Sequence, residues 1–312
     1  MGYAPLGARK ERLQDVPSQY LQGLDCEEIR IQSSDNSARL SGLIVRPKGQ
    51  SGTPNLVAIY FQGNAGNPLH RLPVFQALLS ALRLPNINPA ILAVAPRSYW
   101  TSTPKHPSQA GILSDYTTVL HHAAARFPSA HIVLYGHSLG GAVALCLLSK
   151  LKDTHVSTPP RIQGLILENP FASIPGMLVA LYPQRWIPYR HLQSFVYDRW
   201  DALGALQTQE REGRTALSRL SKKMLVLVSE HDEVVPPEMG AQIVRAAMGS
   251  NAWPTRGTAV HGGPEDTRTQ LVEIPGALHE NAWNRPGWAR AVRTYVRGIL
   301  WEAEVESKRE KV

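Results

Sequence analysis

The chain has 312 residues, of which 43% are apolar and 19% charged, as in globular proteins and unlike disordered ones. Its 33 Lys and Arg residues against 25 Asp and Glu residues give a formal net charge of +8. The basic residues are scattered, and no run of five like charges occurs in the sequence, which argues against a nucleic-acid partner. The two cysteines, Cys26 and Cys146, exclude a disulfide framework and lack metal-ligand spacing, so we expect neither a metal nor a cofactor.

Targeting signals are not recognisable in the sequence. No segment approaches the roughly 18 apolar residues of a membrane span, and the N-terminal sequence contains no apolar signal region. We therefore expect a cytoplasmic monomer, with a peripheral location on endomembranes as the alternative.

Short apolar runs alternate with helical patterns along the chain. Residues 27–31 and 38–45 alternate in polarity around a turn-rich segment, which predicts an N-terminal β-hairpin. Six near-continuous apolar runs follow, typical of strands covered on both faces: 55–61, 90–95, 131–136, 164–169, 224–230 and 271–274. Helical patterns lie at 69–83, 109–127, 138–151, 237–248 and 287–301. This alternation predicts an α/β fold with helices on both faces of a mostly parallel sheet of about eight strands.

The domain organisation follows from the absence of a linker or an internal repeat in the sequence. Two polar stretches, 203–219 and 249–270, are predicted to be surface excursions. We expect one domain over 17–301, between an N-terminal tail (1–16) and a charged C-terminal tail (302–312).

The sequence Gly136-His137-Ser138-Leu139-Gly140 fits the pattern G-x-S-x-G directly between a buried strand and an apolar helix. In this context the pattern predicts a nucleophile elbow, in which a sharp turn exposes the serine Oγ at the carboxyl end of the sheet. The glycines are needed because side chains there would collide with neighbouring backbone. The alternative is a glycine-rich turn with a capping serine.

A serine nucleophile needs a base, and an elbow of this kind orders the triad as Ser, acid, His. Three histidines lie late enough in the chain to follow an acid: His231, His261 and His279. His261 lies in a polar excursion, and His231 is adjacent to the best acid. His279 follows the last strand on a short loop, so we predict it as the base.

The acid is predicted at Asp232, which follows the strand 224–230 and precedes a Pro-Pro pair. Its role would be to orient the imidazole and to stabilise the imidazolium. Glu230 and Glu233 are neighbours, and Glu168 is a weaker candidate because the Asn-Pro pair after it is typical of a structural turn. The alternative role for Asp232 is turn capping.

An oxyanion hole needs backbone amides from the residue after the nucleophile and from an earlier loop. Leu139 supplies the first. The loop after the strand 55–61 supplies Gln62, Gly63 and Asn64, although alone this segment is equally typical of an ordinary turn.

Six segments together extend the match beyond the pentapeptide: FQGNAGNPLHR (61–71), PSQAGILSDYTTVL (107–120), YGHSLGGAVA (135–144), ENPFASIPGM (168–177), SEHDEVVPPEM (229–239) and ALHENAW (277–283). In this order they resemble the fungal bud-emergence-type hydrolases and the animal α/β-hydrolase domain proteins near the lysophosphatidylserine lipases and depalmitoylases. The resemblance implies an α/β-hydrolase fold with a short cap segment at about 171–205. It also places the family's nucleophile, acid and base at Ser138, Asp232 and His279.

The sequence departs from this family at two loops. Gln62 replaces the family's histidine in His-Gly-Asn-Ala-Gly, where we expect a local hydrogen bond from the Gln side chain. In the family's Asp-Tyr-Arg-Gly-x-Gly-x-Ser loop, Arg97 and Ser102 are kept but Ser98 and Trp100 replace the glycines. We expect Trp100 to reshape the mouth of the pocket. Family members often carry an N-terminal membrane anchor; we expect none in this chain, which argues against membrane residence.

Residues 182–200 contain six of the chain's 22 aromatic residues and three arginines (Arg185, Arg190 and Arg199). They are interpreted either as packing of a helix onto the sheet or as a rim for an acyl chain with an anionic head. Trp186 and Tyr189 are candidate pocket residues in the second interpretation.

The predicted reaction is hydrolysis of a carboxylic ester or thioester of a small lipid-like or acylated substrate, such as an acylglycerol, a lysophospholipid or an acyl-protein. The alternatives are a catalytically impaired binding or scaffold protein and, ranked below it, a serine peptidase.

Overall fold

The computed structural model describes residues 7–152, 162–181, 197–208, 215–249 and 268–309. Eight strands form one sheet: β1 (Leu24–Gln32), β2 (Arg39–Pro47), β3 (Leu56–Phe61), β4 (Pro89–Ala95), β5 (His131–His137), β6 (Ile162–Glu168), β7 (Met224–Ser229) and β8 (Gln270–Ile274). The spatial order is β1-β2-β4-β3-β5-β6-β7-β8. Strand β2 is antiparallel to β1 and β4, and all other pairs are parallel. The predicted hairpin and mostly parallel eight-stranded sheet are confirmed.

Helices surround this sheet. In the described part of the chain they are α1 (Ser18–Leu21), α2 (Leu72–Ala81), α3 (Gln109–Arg126), α4 (Leu139–Lys150), α5 (Ile174–Leu181), α6 (Ala202–Thr208), α7 (Ala216–Leu220), α8 (Pro237–Met248) and α9 (Pro286–Arg309). Helix α2 packs on α9, and α3 packs on α4. None of these helices has the length and apolar character needed to cross a membrane.

The apolar runs became strands because helices cover them. Every residue of β3, β4 and β7 is buried, which explains why these strands lack the alternation of a half-exposed strand. In α4 the residues 139–148 are all buried, so this helix is apolar on every face.

Two segments differ from the sequence-based expectation. Residues 203–219, predicted as a surface excursion, contain most of α6 and of α7, because Leu206 and Leu217 are buried in the core. Residues 302–309, predicted as part of a charged tail, continue α9. An i,i+4 ion pair between Glu304 and Lys308 and the burial of Ala303 support this helical extension. The excursion 249–270 and the middle of the cap segment, 182–196, fall mostly or wholly outside the described residues.

The carboxyl ends of the parallel strands point to one edge of the sheet, where ligands bind in open α/β folds. Loops after β3, β5, β6, β7 and β8 meet at this edge. These loops carry the residues predicted from the sequence to act in catalysis.

Candidate active site

The junction of β5 and α4 forms a sharp turn at Ser138. Strand β5 ends at His137 and α4 begins at Leu139, so Ser138 alone makes the reversal, with φ +52° and ψ −118°. This conformation is strained for a residue with a side chain. A Cβ at Gly140 would collide with the Phe61 carbonyl oxygen, and one at Gly136 would lie 2.6 Å from the Gly141 Cα. The glycines of the motif are therefore required by close backbone approach.

Asp232 and His279 form a buried pair after β7 and β8. The Nδ1 of His279 lies 2.8 Å from Asp232 Oδ2 and 3.0 Å from Oδ1, and the two side chains are 5% and 1% exposed. Asp232 Oδ1 also accepts the amides of Val234 and Val235 at 2.8 and 2.7 Å. The carboxylate therefore caps a turn and contacts the imidazole at the same time, so the two roles considered from the sequence coexist.

Ser138 lies on the same edge of the sheet as this pair. The ring of His137, its chain neighbour, is centred 5.0 Å from the ring of His279. In the part of the chain that the structure describes, Ser138 Oγ and the imidazole form no hydrogen bond, and such bonds are often long in ligand-free enzymes. The structure thus joins Asp232 to His279 directly and brings Ser138 to the same edge of the sheet.

In the described part of the chain, no other candidate base or acid forms a hydrogen bond with the imidazole of His279, and Glu233 accepts the backbone amide of His279 instead. His231 is exposed and lies 3.7 Å from Glu230, and His261 lies outside the described residues. Glu168 is buried and accepts hydrogen bonds from the Tyr135 hydroxyl and from the Trp288 indole. The Glu168 carboxylate is therefore hydrogen-bonded to side chains in the core of the protein.

The predicted oxyanion loop lies against the nucleophile. A Cβ added at Gly63 would be 3.6 Å from Ser138 Cβ. The amide of Gln62 donates to the Tyr116 hydroxyl at 3.3 Å, so it is already engaged. Leu139, the other predicted contributor, is the first residue of α4, where amides have no acceptor within the helix.

The expectation of a local hydrogen bond from the Gln62 side chain is wrong. Gln62 is 5% exposed, and among the described residues neither its Nε2 nor its Oε1 has a hydrogen-bond partner. Asn64, two residues later, accepts the Tyr99 hydroxyl at 3.1 Å. The substitution of the family's histidine therefore leaves a buried amide unpaired beside the oxyanion loop, which costs stability.

Comparison with known proteins decides the family. The chain is 32% identical over 237 residues to the protein bem46 of Schizosaccharomyces pombe, covering 75% of this chain and 68% of that protein. It belongs to the α/β-hydrolase family. It is also 28% identical to the α/β-hydrolase domain-containing protein WAV2 of Arabidopsis thaliana, over 82% of this chain and 73% of that one. A family model described as serine aminopeptidase, S33, matches residues 102–195.

More distant relatives include a lysophosphatidylserine lipase, ABHD12 of Danio rerio, which is 29% identical over 63% of this chain. The chain spans about half (48%) of the length of that lipase. Among solved structures, an esterase of Pyrococcus furiosus aligns with a TM-score of 0.60 at 16% identity, covering 91% of this chain and 94% of that one. Est1E of Butyrivibrio proteoclasticus aligns with a TM-score of 0.56, also at 16% identity, over 88% and 98% of the two chains. These structures share the α/β-hydrolase fold.

The loop that lost two family glycines keeps a glycine-like backbone in this hydrolase. Ser98 and Trp100, which stand at the glycine positions, have φ of +67° and +44°. Arg97 anchors the loop through a buried ion pair, in which its Nη2 lies 2.7 Å from Asp115 Oδ1. Ser102 Oγ donates to the Ala95 carbonyl oxygen at 2.7 Å. Arg97 and Ser102, which the chain shares with the family pattern, thus hold the loop in a backbone conformation that favours glycine.

Trp100 is buried, and its expected effect on the mouth of the pocket stays a prediction. Its indole is 4% exposed, and its Nε1 donates to the carbonyl oxygen of Glu11 at 2.9 Å. The side chain of Asn67 contacts the same N-terminal segment, because its Nδ2 donates to the carbonyl oxygen of Ala8 at 2.9 Å. The indole therefore packs beneath the N-terminal segment, because that segment folds back over the loop instead of extending as a tail.

The aromatic cap segment is described only in part. Trp186 and Tyr189 lie outside the described residues. Trp200 is 1% exposed and packs in the core, whereas Tyr197 is 96% exposed. The packing interpretation is therefore correct for Trp200.

The charges near the base were not found from the sequence. Arg71, on the segment after the oxyanion loop, donates through both terminal nitrogens to Glu280, the residue after the base. Although burial opposes it, the hydrogen bond from Arg71 lowers the pKa of Glu280 to about 2. Burial, together with the positive charge of Arg71, lowers the pKa of His137 to about 3. The ion pair joins the two loops on either side of the site, and burial keeps His137 neutral.

One group of potential metal ligands occurs among the described residues: His137, His279 and Glu280, whose ligand atoms lie within 4.8 Å of one another. Each already has a protein partner: the backbone oxygen of His279, the carboxylate of Asp232 and the guanidinium of Arg71, respectively. A cation would have to displace these contacts and approach an arginine.

Proposed function

We propose that this hydrolase is a serine esterase or thioesterase that acts through an acyl-enzyme on Ser138. The supporting observation is the strained Ser138 at the β5–α4 turn, on the same sheet edge as the Asp232–His279 pair with its Nδ1–Oδ2 distance of 2.8 Å. A half-buried serine at such a turn, on the same sheet edge as an oriented imidazole, suits nucleophilic attack on a carbonyl.

In the proposed mechanism, His279 Nε2 takes the proton of Ser138 Oγ as the oxygen attacks the acyl carbonyl carbon. Asp232 keeps the proton on Nδ1 and stabilises the imidazolium that forms. His279 then gives its proton to the leaving alcohol or thiol, and a water attacks the acyl-enzyme by the same steps in reverse. The carboxylate–imidazole contact supports this order of proton transfers.

The developing oxyanion is assigned to backbone amides on two elements. Leu139 contributes from the start of α4, where the helix dipole also favours negative charge. Because the Gln62 amide donates to Tyr116, we assign the second contribution to Gly63 or Asn64 rather than to Gln62.

The substrate class we propose is an acyl ester or thioester of the acylglycerol, lysophospholipid or acyl-protein type. Support comes from the names of relatives: a lysophosphatidylserine lipase among the curated proteins and the esterase of Pyrococcus furiosus among the solved structures. Because the matched family model is described as a serine aminopeptidase, aminoacyl amides belong in the same substrate panel.

The first experiment is labelling with a fluorophosphonate probe, combined with turnover of p-nitrophenyl esters, acyl thioesters, lysophospholipids and aminoacyl amides. Wild-type protein is expected to be labelled and active, and Ser138→Ala to be neither. Ser149→Ala, at the other end of α4, is the matched control and is expected to behave as wild type. Labelling of Ser138→Ala at the wild-type rate would contradict the assignment.

A second candidate function is binding without catalysis, since the loop 95–102 departs from the family pattern. This hypothesis predicts a folded protein that is not labelled by the probe and turns over no member of the substrate panel. The same experiment therefore separates the two.

A further inference from the structure

The backbone of His279 is held by side chains from three other loops. Its carbonyl oxygen accepts hydrogen bonds from Asn169 Nδ2 at 2.9 Å and from His137 Nε2 at 3.1 Å. Its amide donates to Glu233 Oε2 at 3.0 Å. These partners follow or end β6, β5 and β7, so the proposed base is tied across the carboxyl edge of the sheet.

Asn169 is the most constrained of these partners. It is 2% exposed and has φ of +48°, which Asn tolerates better than most residues with a side chain. Both of its amide hydrogens have acceptors, since Nδ2 also lies 3.0 Å from Ser229 Oγ. Its Oδ1 accepts the Ser229 amide at 2.8 Å, and its own amide donates to the Leu227 carbonyl at 2.8 Å. The side chain thus links the turn after β6 to β7 and to the base.

The turn that contains Asn169 also contacts the nucleophile. The carbonyl oxygen of Glu168, the preceding residue, accepts the amide of Ser138 at 2.9 Å. One dipeptide therefore contacts the backbone of Ser138 on one side and the backbone of His279 on the other. The relative position of these two residues depends on this dipeptide.

The second donor, His137, has a fixed protonation state. Because its Nε2 faces a carbonyl oxygen, that nitrogen carries the proton. Burial lowers the pKa of the ring, so it stays neutral and keeps this bond at neutral pH. The carbonyl oxygen of His279 therefore has two donors, one for each lone pair.

We propose that Asn169 is a positioning residue for the base: its Nδ2 holds the His279 carbonyl and so sets the distance between the imidazole and Ser138. The proposal rests on the proposed function. The contact with Asp232 fixes the rotation of the His279 side chain, whereas the contact with Asn169 fixes the backbone to which this side chain is attached. Proton transfer needs both, because displacing a reacting group by about 1 Å can cost on the order of 100-fold in rate.

The test variant is Asn169→Asp. Aspartate has the same shape and tolerates positive φ, but it presents oxygen instead of an N–H donor to the His279 carbonyl. We expect kcat for a p-nitrophenyl ester to fall by about 10- to 100-fold. KM is expected to stay unchanged, because Asn169 is buried and reaches the reaction only through His279.

The matched control is Asn86→Asp, the same chemical change at an exposed residue with φ of +60°. It is expected to keep the wild-type kcat. Circular dichroism and the melting temperature establish that each variant is folded. If Asn169→Asp does not fold, Asn169→Gly accepts the positive φ without strain and also lacks the donor, and the same loss of kcat is expected.

A second readout does not depend on turnover. The proton between His279 Nδ1 and Asp232 gives a far-downfield NMR signal, which wild type and Asn86→Asp should show. In the Asn169 variants we expect this signal to shift or broaden.

The outcomes separate the two proposals. Wild-type protein without labelling or turnover contradicts the proposed function, and the NMR signal then still tests the positioning role. Folded Asn169 variants with wild-type kcat and an unchanged NMR signal overturn the positioning role.

Discussion

The two halves of the site differ in how completely their polar groups are bonded. On the side of the base, the imidazole, the amide and the carbonyl oxygen of His279 all have hydrogen-bond partners. On the side of the nucleophile, both side-chain polar atoms of Gln62 and the Nδ1 of His137 are buried without a partner among the described residues.

The bonded groups around His279 are preorganised for catalysis, whereas the unpaired groups near Ser138 lower the stability of the fold. Hydrogen bonds that hold a catalytic group before substrate arrives save the cost of ordering it during the reaction. A buried polar atom without a partner costs about 1–3 kcal/mol. We therefore expect substitutions around His279 to reduce activity, and substitutions of the unpaired groups near Ser138 to change mainly stability.

The largest effect is expected for Asp232→Asn. Asparagine keeps an oxygen for the amides of Val234 and Val235, so the turn should remain capped. It loses the negative charge and the acceptor that fixes the imidazole tautomer, so kcat should fall by about 10⁴-fold. Steady-state kinetics and the melting temperature, measured on the same preparation, check both statements.

Asp232→Ala is the comparison variant, since it removes the cap as well. A large fall in melting temperature with Asp232→Ala, together with only a small fall in kcat with Asp232→Asn, would identify turn capping as the carboxylate's main role.

The next prediction concerns pH. Burial, opposed by the hydrogen bond from Trp288, raises the pKa of Glu168 from 4.5 to about 7. Between these values the folded chain holds a proton that the unfolded chain has released, so the free energy of unfolding should fall as pH rises. The full effect is about 3 kcal/mol. The ionisable groups near enough to influence the pKa of Glu168 are Arg71, His279 and Glu280.

Glu168→Gln should remove most of this pH dependence. A neutral amide oxygen can still accept from Tyr135 and Trp288, so the variant is expected to be more stable than wild type above pH 7. Urea unfolding at pH 5 and pH 8 measures the difference. Parallel stability–pH curves for the two proteins would show that Glu168 does not titrate in this range.

A smaller effect is expected for Gln62→Met. Methionine fills a similar volume but has no amide to leave unpaired, so the free energy of unfolding should rise by about 1 kcal/mol. Since Gln62 contributes its backbone amide to Tyr116, turnover should change little. A loss of stability would show that the Gln62 amide is satisfied in solution, for example by a buried water.

Much of the site could be predicted because its signals are local. The glycines around Ser138 are dictated by close backbone approach, and the order of Ser138, Asp232 and His279 follows from the order of the strands. The ties to the His279 backbone could not be predicted, because Asn169 and Glu233 act through contacts between loops distant in sequence. Asn169 in particular has the sequence signature of an ordinary Asn-Pro turn.

The burial of Trp100 could not be predicted for the same reason. Its burial depends on residues 8–11, which pack over the loop from about 90 residues earlier in the chain. The helical extension to Arg309 was missed because its residues are mostly charged and show little apolar periodicity.

The central claim, that Ser138 forms an acyl-enzyme, is tested most directly by trapping that intermediate. The protein is mixed with a p-nitrophenyl ester, quenched in acid within the first turnover, digested and analysed by mass spectrometry. We predict the acyl mass on the peptide that contains Ser138, and no adduct in Ser138→Ala. An adduct on another residue, or release of p-nitrophenol at the wild-type rate by Ser138→Ala, would contradict the account.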